Sequence, residues 1–285
     1  MSNLRSYATL AQLRARNTVA AADTTDDARM LAKLRAATTA LEERTARTFQ
    51  PLVEARKFDY HDTQRVMFRS QDLLTLTSLV DGYGLTIDPA AIIKLGGAND
   101  TYGPYYGLEL DPAKAYMGYL TTRRRAITIS GVWGWHDDYG NAWHTSADSV
   151  QDGAGINASV TTITVTSSTG ADSWGQTPRF SAGQLIQIDS EWLHITATTA
   201  STLTVVRGVN GTIAATHALN APISVYEPAR IITEVTLRWA AFLMAQDDTD
   251  FGHTVITPLG DKIVPARIPP DLDELLRPLV KVRAS

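Results

Sequence analysis

Between residues 145 and 226 the chain carries no lysine, and its only basic residues there are Arg179 and Arg207. Threonine and serine dominate instead, as in small antiparallel sheets, where β-branched side chains fit the pleated surface. Five runs, SVTTITVT, QLIQIDS, EWLHITATT, STLTVVRG and APISVYE, are separated by turn residues at close intervals. That spacing predicts a compact all-β module, a barrel or a sandwich. The flanks are of another character. Residues 123–135, RRRAITISGVWGW, read as a strand with an abrupt glycine and aromatic ending. About ninety residues later a Pro-led amphipathic helix begins at Pro228, PARIITEVTLRWAAFLMAQ, as if continuing from that strand. The module therefore reads as an insertion.

A chain of 285 residues is long enough for two cores. The predicted class is α+β: a small helical bundle with a β-rich portion, formed by 1–136 and 228–257. The all-β insert occupies 137–227, and an extended arm with a short terminal helix occupies 258–285. Thr9 and Gln12 stand at capping-box spacing ahead of Leu10 and Leu13, which predicts a first short helix. The acids of residues 23–27 offer a cap for a longer one, in which Met30, Leu31, Leu34, Ala37, Leu41 and Thr45 recur at three- and four-residue steps. From Leu52 onward short β-branched and aromatic runs predict strands. In the Pro-led helix, Ile231, Ile232, Val235, Trp239, Phe242 and Leu243 share one face. Four prolines, Pro258, Pro265, Pro269 and Pro270, leave the following segment extended. The terminal DLDELLRPLVKV has a leucine face, but Pro278 limits its helix to about two turns, so it needs a surface to dock on.

Little in the sequence points to chemistry. Cysteine is absent, which removes thiolate metal sites and disulfides. No run approaches the roughly 18 apolar residues of a membrane span, and no leader is evident, so a soluble chain is predicted. A net charge of -4 argues against a dedicated nucleic-acid binder. No nucleophile elbow or phosphate-cradling loop occurs, and the six histidines never show metal-ligand spacing. Three weak candidates remain: His136 with Asp137 and Asp138 as metal ligands, the acidic turn of residues 247–250 as a calcium loop, and Asp189 with Glu191 as an acid/base pair. Each has a plainer reading as a turn. The expectation is no cofactor, no metal and no catalysis. Two surfaces are candidate interfaces: Tyr102, Tyr105 and Tyr106 in a turn-rich stretch, which could equally fold onto its own body, and Arg123, Arg124 and Arg125 beside a DNA channel or a subunit.

The order of elements carries a resemblance. A short helix, a long helix ending in LEERTARTF, a β region containing DLLTLTSL, the strand ITISGVWGW, the helix PARIITEVTLRWAAFL and the tail IPPDLDELLRPLVKV resemble the head-to-tail connector (adaptor, or head completion) family of tailed double-stranded DNA phages. The resemblance covers roughly residues 4–136 and 228–283. The insert, with Gly-x-x-x-x-Ile-Asp, an acidic residue two places on, and Arg-Gly-x-x-Gly-Thr followed by His, resembles a β domain that recurs in phage structural proteins. The resemblance implies a virion protein assembled in the host cytoplasm. It would form a dodecameric ring under the portal, meet tail or stopper proteins on the other side, and let DNA pass without gripping it. It also implies that the C-terminal segment reaches the portal, with Ile268, Leu272, Leu275, Leu276 and Leu279 as anchors and Arg277, Lys281 and Arg283 steering; the plainer possibility is that the tail packs on its own domain. A second reading is a receptor- or glycan-binding tail component using Trp174 and Trp192. A third is a glycan-cleaving enzyme using Asp189 and Glu191.

Overall fold

The computed structural model describes residues 5–20, 23–69, 72–96, 103–248, 255–256, 262–263 and 270–281. It is an α+β fold, with helices gathered in one layer and antiparallel sheets beside it. No helix among the described residues is long and apolar enough to cross a membrane.

The helical layer is built from α1 (Leu10–Arg16), α2 (Asp27–Thr45), α3 (Arg230–Asp248) and α4 (Pro270–Leu276). Thr9 and Gln12 close the capping box on α1. Asp26 stands at the N-cap of α2 without a side-chain bond to it. Met30, Leu34, Ala37 and Leu41 of α2 meet Ile232, Val235, Trp239 and Ala240 of α3, joined by Leu10 and Leu13. Met30, Leu34, Ala37, Leu41, Ile232, Val235 and Trp239 are positions that the three- and four-residue spacing put on one face of each helix, whereas Phe242, expected on the same face, is outside this core.

Strand β6 (Ile127–Trp133) lies between β1 (Leu52–Phe58) and β3 (Leu73–Val80), antiparallel to both. Its burial alternates along its length, with Ile127, Ile129, Gly131 and Trp133 inward. Gly131 is required by closeness: a Cβ there would stand 2.2 Å from the Thr75 carbonyl, where β3 bulges. Gly134 then adopts φ +145°, turning the chain so that Trp135 reaches the helical layer and meets Phe49 edge-on at 5.6 Å. A second three-stranded sheet, β2 (Arg65–Met67), β5 (Gly107–Leu110) and β4 (Ile92–Leu95), encloses a core with the first through Val66, Phe68, Leu108, Leu110 and Trp133. The turn-rich stretch holding Tyr105 and Tyr106 thus lies between two strands, β4 and β5.

The remaining large sheet has six strands, all from residues 143–226: β7 (Trp143–Ser149), β8 (Thr162–Thr164), β9 (Leu185–Ile188), β10 (Glu191–Thr198), β11 (Thr202–Val206) and β12 (Pro222–Tyr226). Their order is β7-β12-β9-β10-β11-β8, every pairing antiparallel. The sheet curls around Ile163, Phe180, Ile186, Ile188, Leu193, Leu203 and Ile223. It does not close as a barrel. Its edge strands are linked only locally, by Gln151 N–H donating to the Thr164 carbonyl (2.9 Å) and by the Asp148 and Asp152 carboxylates accepting backbone N–H groups around β8.

Between α3 and α4, β13 (Val255–Ile256) and β14 (Lys262–Ile263) form a two-residue antiparallel pair, regular structure that the prolines did not suggest.

Candidate functional site: the acid, histidine and arginine hub of the module

The residues that gave the insert its recognisable pattern meet in space. Asp189, at φ +52° in the β9–β10 turn, and Glu191 at the start of β10 flank His217. His217 Nδ1 lies 2.7 Å from Asp189 and Nε2 lies 2.8 Å from Glu191. Arg207 donates to both Glu191 oxygens, from Nε and Nη2, each at 2.7 Å. The N–H groups of Gly208 and Ala215 add further bonds at 2.9 Å. The remaining Arg207 donors reach the carbonyls of Asn157, Val160 and Ala215.

Glu191 and Arg207 are sealed from solvent, with side-chain exposures of 0% and 5%. Burial alone would raise the Glu191 carboxyl; the bonds from Arg207, Ala215, His217 and Gly208 outweigh it and hold it down at about 2. A carboxylate with every lone pair taken and no open side cannot exchange protons with a substrate. The hub pins the loop after β11, the loop before β12 and the β9–β10 turn to one point.

The same motif carries a joint. Asn210 (φ +52°) and Gly211 (φ +84°) form a turn pressed on the start of β1. Val53 N–H donates to the Asn210 carbonyl (2.9 Å), and Asn210 Nδ2 donates to the Pro51 carbonyl (3.0 Å). A Cβ on Gly211 would lie 1.9 Å from the Val53 carbonyl oxygen, so only glycine fits. Thr212 Oγ1 locks the turn from behind, accepting from Trp192 N–H and donating to the Val209 carbonyl. Other contacts fasten the module elsewhere: Tyr226 Oη donates to the Phe49 carbonyl (2.7 Å), and His136 Nε2 lies 3.0 Å from the Glu227 carbonyl. His194 is buried near Arg5 and Arg35; desolvation first, then those charges, lower its pKa to about 4. Glu227, desolvated and near Asp172, is raised to about 7.

Several expected sites change meaning. Both ring nitrogens of His136 are engaged by backbone, Nδ1 accepting the Asp138 N–H at 2.8 Å, so it is not free for a metal. Trp192 is 5% exposed and packs on Trp143, which removes it from any surface. Arg123, Arg124 and Arg125 are exposed but sit in a turn rather than on a strand. Arg123 pairs with Asp62 (2.5 Å) and lies over Tyr119; Arg125 has φ +53°. Tyr105 is buried in the sheet core with Lys94 over its ring, whereas Tyr106 is 44% exposed; Tyr102 lies outside the described residues. Of the side chains in the calcium-loop candidate, only that of Asp247 is described, and it pairs with Lys33 at 2.6 Å.

In the tail, the short helix rests on its own chain, the plainer of the two possibilities. Leu272, Leu276 and Leu279 are buried in the chain's own helical layer and Leu275 packs beside them. Three ion pairs fasten them: Arg44 with Asp273, Arg238 with Asp271 at 2.9 Å, and Lys281 with Asp72 at 2.6 Å. Leu272, Leu276 and Leu279 are covered by the chain's own helices, and Leu275 is partly buried. Arg277 is exposed; Ile268 and Arg283 lie outside the described residues.

No protein-family model and no curated protein matches the chain. Among solved structures, a chain from the neck of an empty GTA particle computed with C6 symmetry is similar over 44% of the present chain, at 17% identity and a TM-score of 0.30. The present chain spans 63% of that chain's length.

Proposed function

We propose that this chain is a structural virion protein, an adaptor in the neck of a tailed phage. It assembles as a dodecameric ring between the portal and the tail or stopper proteins and surrounds DNA without gripping it. The observation that carries this reading is the reunion of elements from both sides of the insert: α3 and α4, from beyond it, pack with α1 and α2, from before it, into one core. The helices in the order of elements that resembles the connector family thus share one core. A non-catalytic role is supported by the hub, whose acid, base and cation are consumed in holding loops. The portal-facing surface in this reading is the outer side of the tail around Arg277, while Leu272, Leu276 and Leu279 fix that segment to the body. Co-sedimentation with portal rings from the same virus tests it. The chain is expected to pellet with the portal, and Arg277→Glu to weaken binding; a chain that stays in the supernatant beside intact portals contradicts the reading.

A further inference from the structure

Trp174 stands apart from the other tryptophan side chains of the module. Trp143, partly buried, packs on the buried Trp192, whereas Trp174 is 50% exposed. Its indole lies on the imidazole of His144, with ring centroids 4.0 Å apart and planes 15° apart. His144 is buried and held through Nε2 by Asp172 at 2.8 Å. The Asp172 carboxylate also accepts the N–H groups of Trp174 (2.9 Å) and Gln176 (2.8 Å), and Ser173 N–H donates to the Thr145 carbonyl. One indole face lies on His144, and the ring is fixed before any partner arrives.

The surround decides what such a ring can take. Thr145, Ser173, Gln176 and Thr177 are exposed and polar, and the side chains of Ser173 and Gln176 make no hydrogen bond among the described residues. Neither residues 144–147 nor residues 172–177 contain another exposed large apolar side chain. A protein-binding hot spot sits inside a desolvated apolar cluster. A lone rigid aromatic rimmed by hydroxyl and amide groups suits instead a small ring with one apolar face and polar edges.

We propose that Trp174 is the platform of a carbohydrate site, its other indole face taking the C–H face of a pyranose ring while Ser173 and Gln176 bond the sugar hydroxyls. The site does not depend on the neck reading. The full chain would be titrated with gluco-, galacto-, manno- and N-acetylglucosamine oligosaccharides, using calorimetry and ligand-detected NMR. At least one is expected to bind saturably, with affinity falling about tenfold or more in Trp174→Ala and less in Gln176→Ala. The loop is held through Asp172 and backbone groups, so unchanged circular dichroism and thermal midpoint would certify the fold of Trp174→Ala. Saturable binding that survives in that variant overturns the site. So does a panel in which no sugar binds; if Trp174→Ala then weakens association with a virion protein, the surface belongs to a protein contact.

Discussion

At the residue scale, Glu191 is the position on which the module turns. In Glu191→Gln, Arg207 stays buried at 5% side-chain exposure and loses its counter-charge. Urea unfolding is expected to show a loss of about 3–5 kcal/mol, the usual consequence of breaking a buried pair. Because the folded carboxyl lies at about 2, below its ordinary 4.5, its contribution is fully present above pH 4.5 and is lost as pH falls toward 2. Glu227 works the other way. Its folded value of about 7 exceeds 4.5, so the native state is penalised as pH rises from 4.5 through 7. Glu227→Gln should raise stability at pH 8 by about 1–3 kcal/mol and change little at pH 4, checked by thermal unfolding at both pH values. A stability gain of equal size at both would show that its carboxyl is not the strained group. Gly211→Ala tests the joint: the added methyl cannot coexist with the Val53 carbonyl, so the turn must leave β1, and amide exchange at Val53 should accelerate while the Glu191 hub stays protected.

At the element scale, what was legible in the sequence was what apolar spacing could encode. Ile127, Ile129 and Trp133 announced a strand, and the faces of α2 and α3 were readable from three- and four-residue steps. Strand β7 was not readable, because its inward residues are His144, Ser146 and Asp148 rather than apolar ones. They are tolerated by specific bonds: Ser146 Oγ to the Ile223 carbonyl (2.7 Å), His144 to Asp172, and the Asp148 carboxylate to backbone N–H groups and Arg179. No hydropathy pattern signals such a strand. In the hub, Asp189, Glu191, Arg207 and His217 were visible as a spaced pattern, but their convergence needed the fold to bring the ends of separate strands together. The leucine face of α4 was legible too, though not its dock, since an amphipathic face specifies only that something apolar covers it. Truncation after residue 269 should therefore cost stability on the order of 3 kcal/mol, reflecting exposure of the surface under Leu272, Leu276 and Leu279. An unchanged urea midpoint would show that the tail does not rest there.

At the scale of the whole molecule, the insert and its host are tied at several places: the Asn210–Gly211 turn on β1, Tyr226 on Phe49, and His136 on the strand end that leads into α3. In the proposed ring, a module fastened in this way would present the same face in every copy. The most direct measurement is electron microscopy, with symmetry analysis, of the purified chain mixed with portal rings from the same virus. The account predicts a second ring, coaxial with the portal and continuing its channel, with Arg277 at the contact and the leucines of α4 still on their own helical layer. Folded chain and intact portals that do not associate would contradict it.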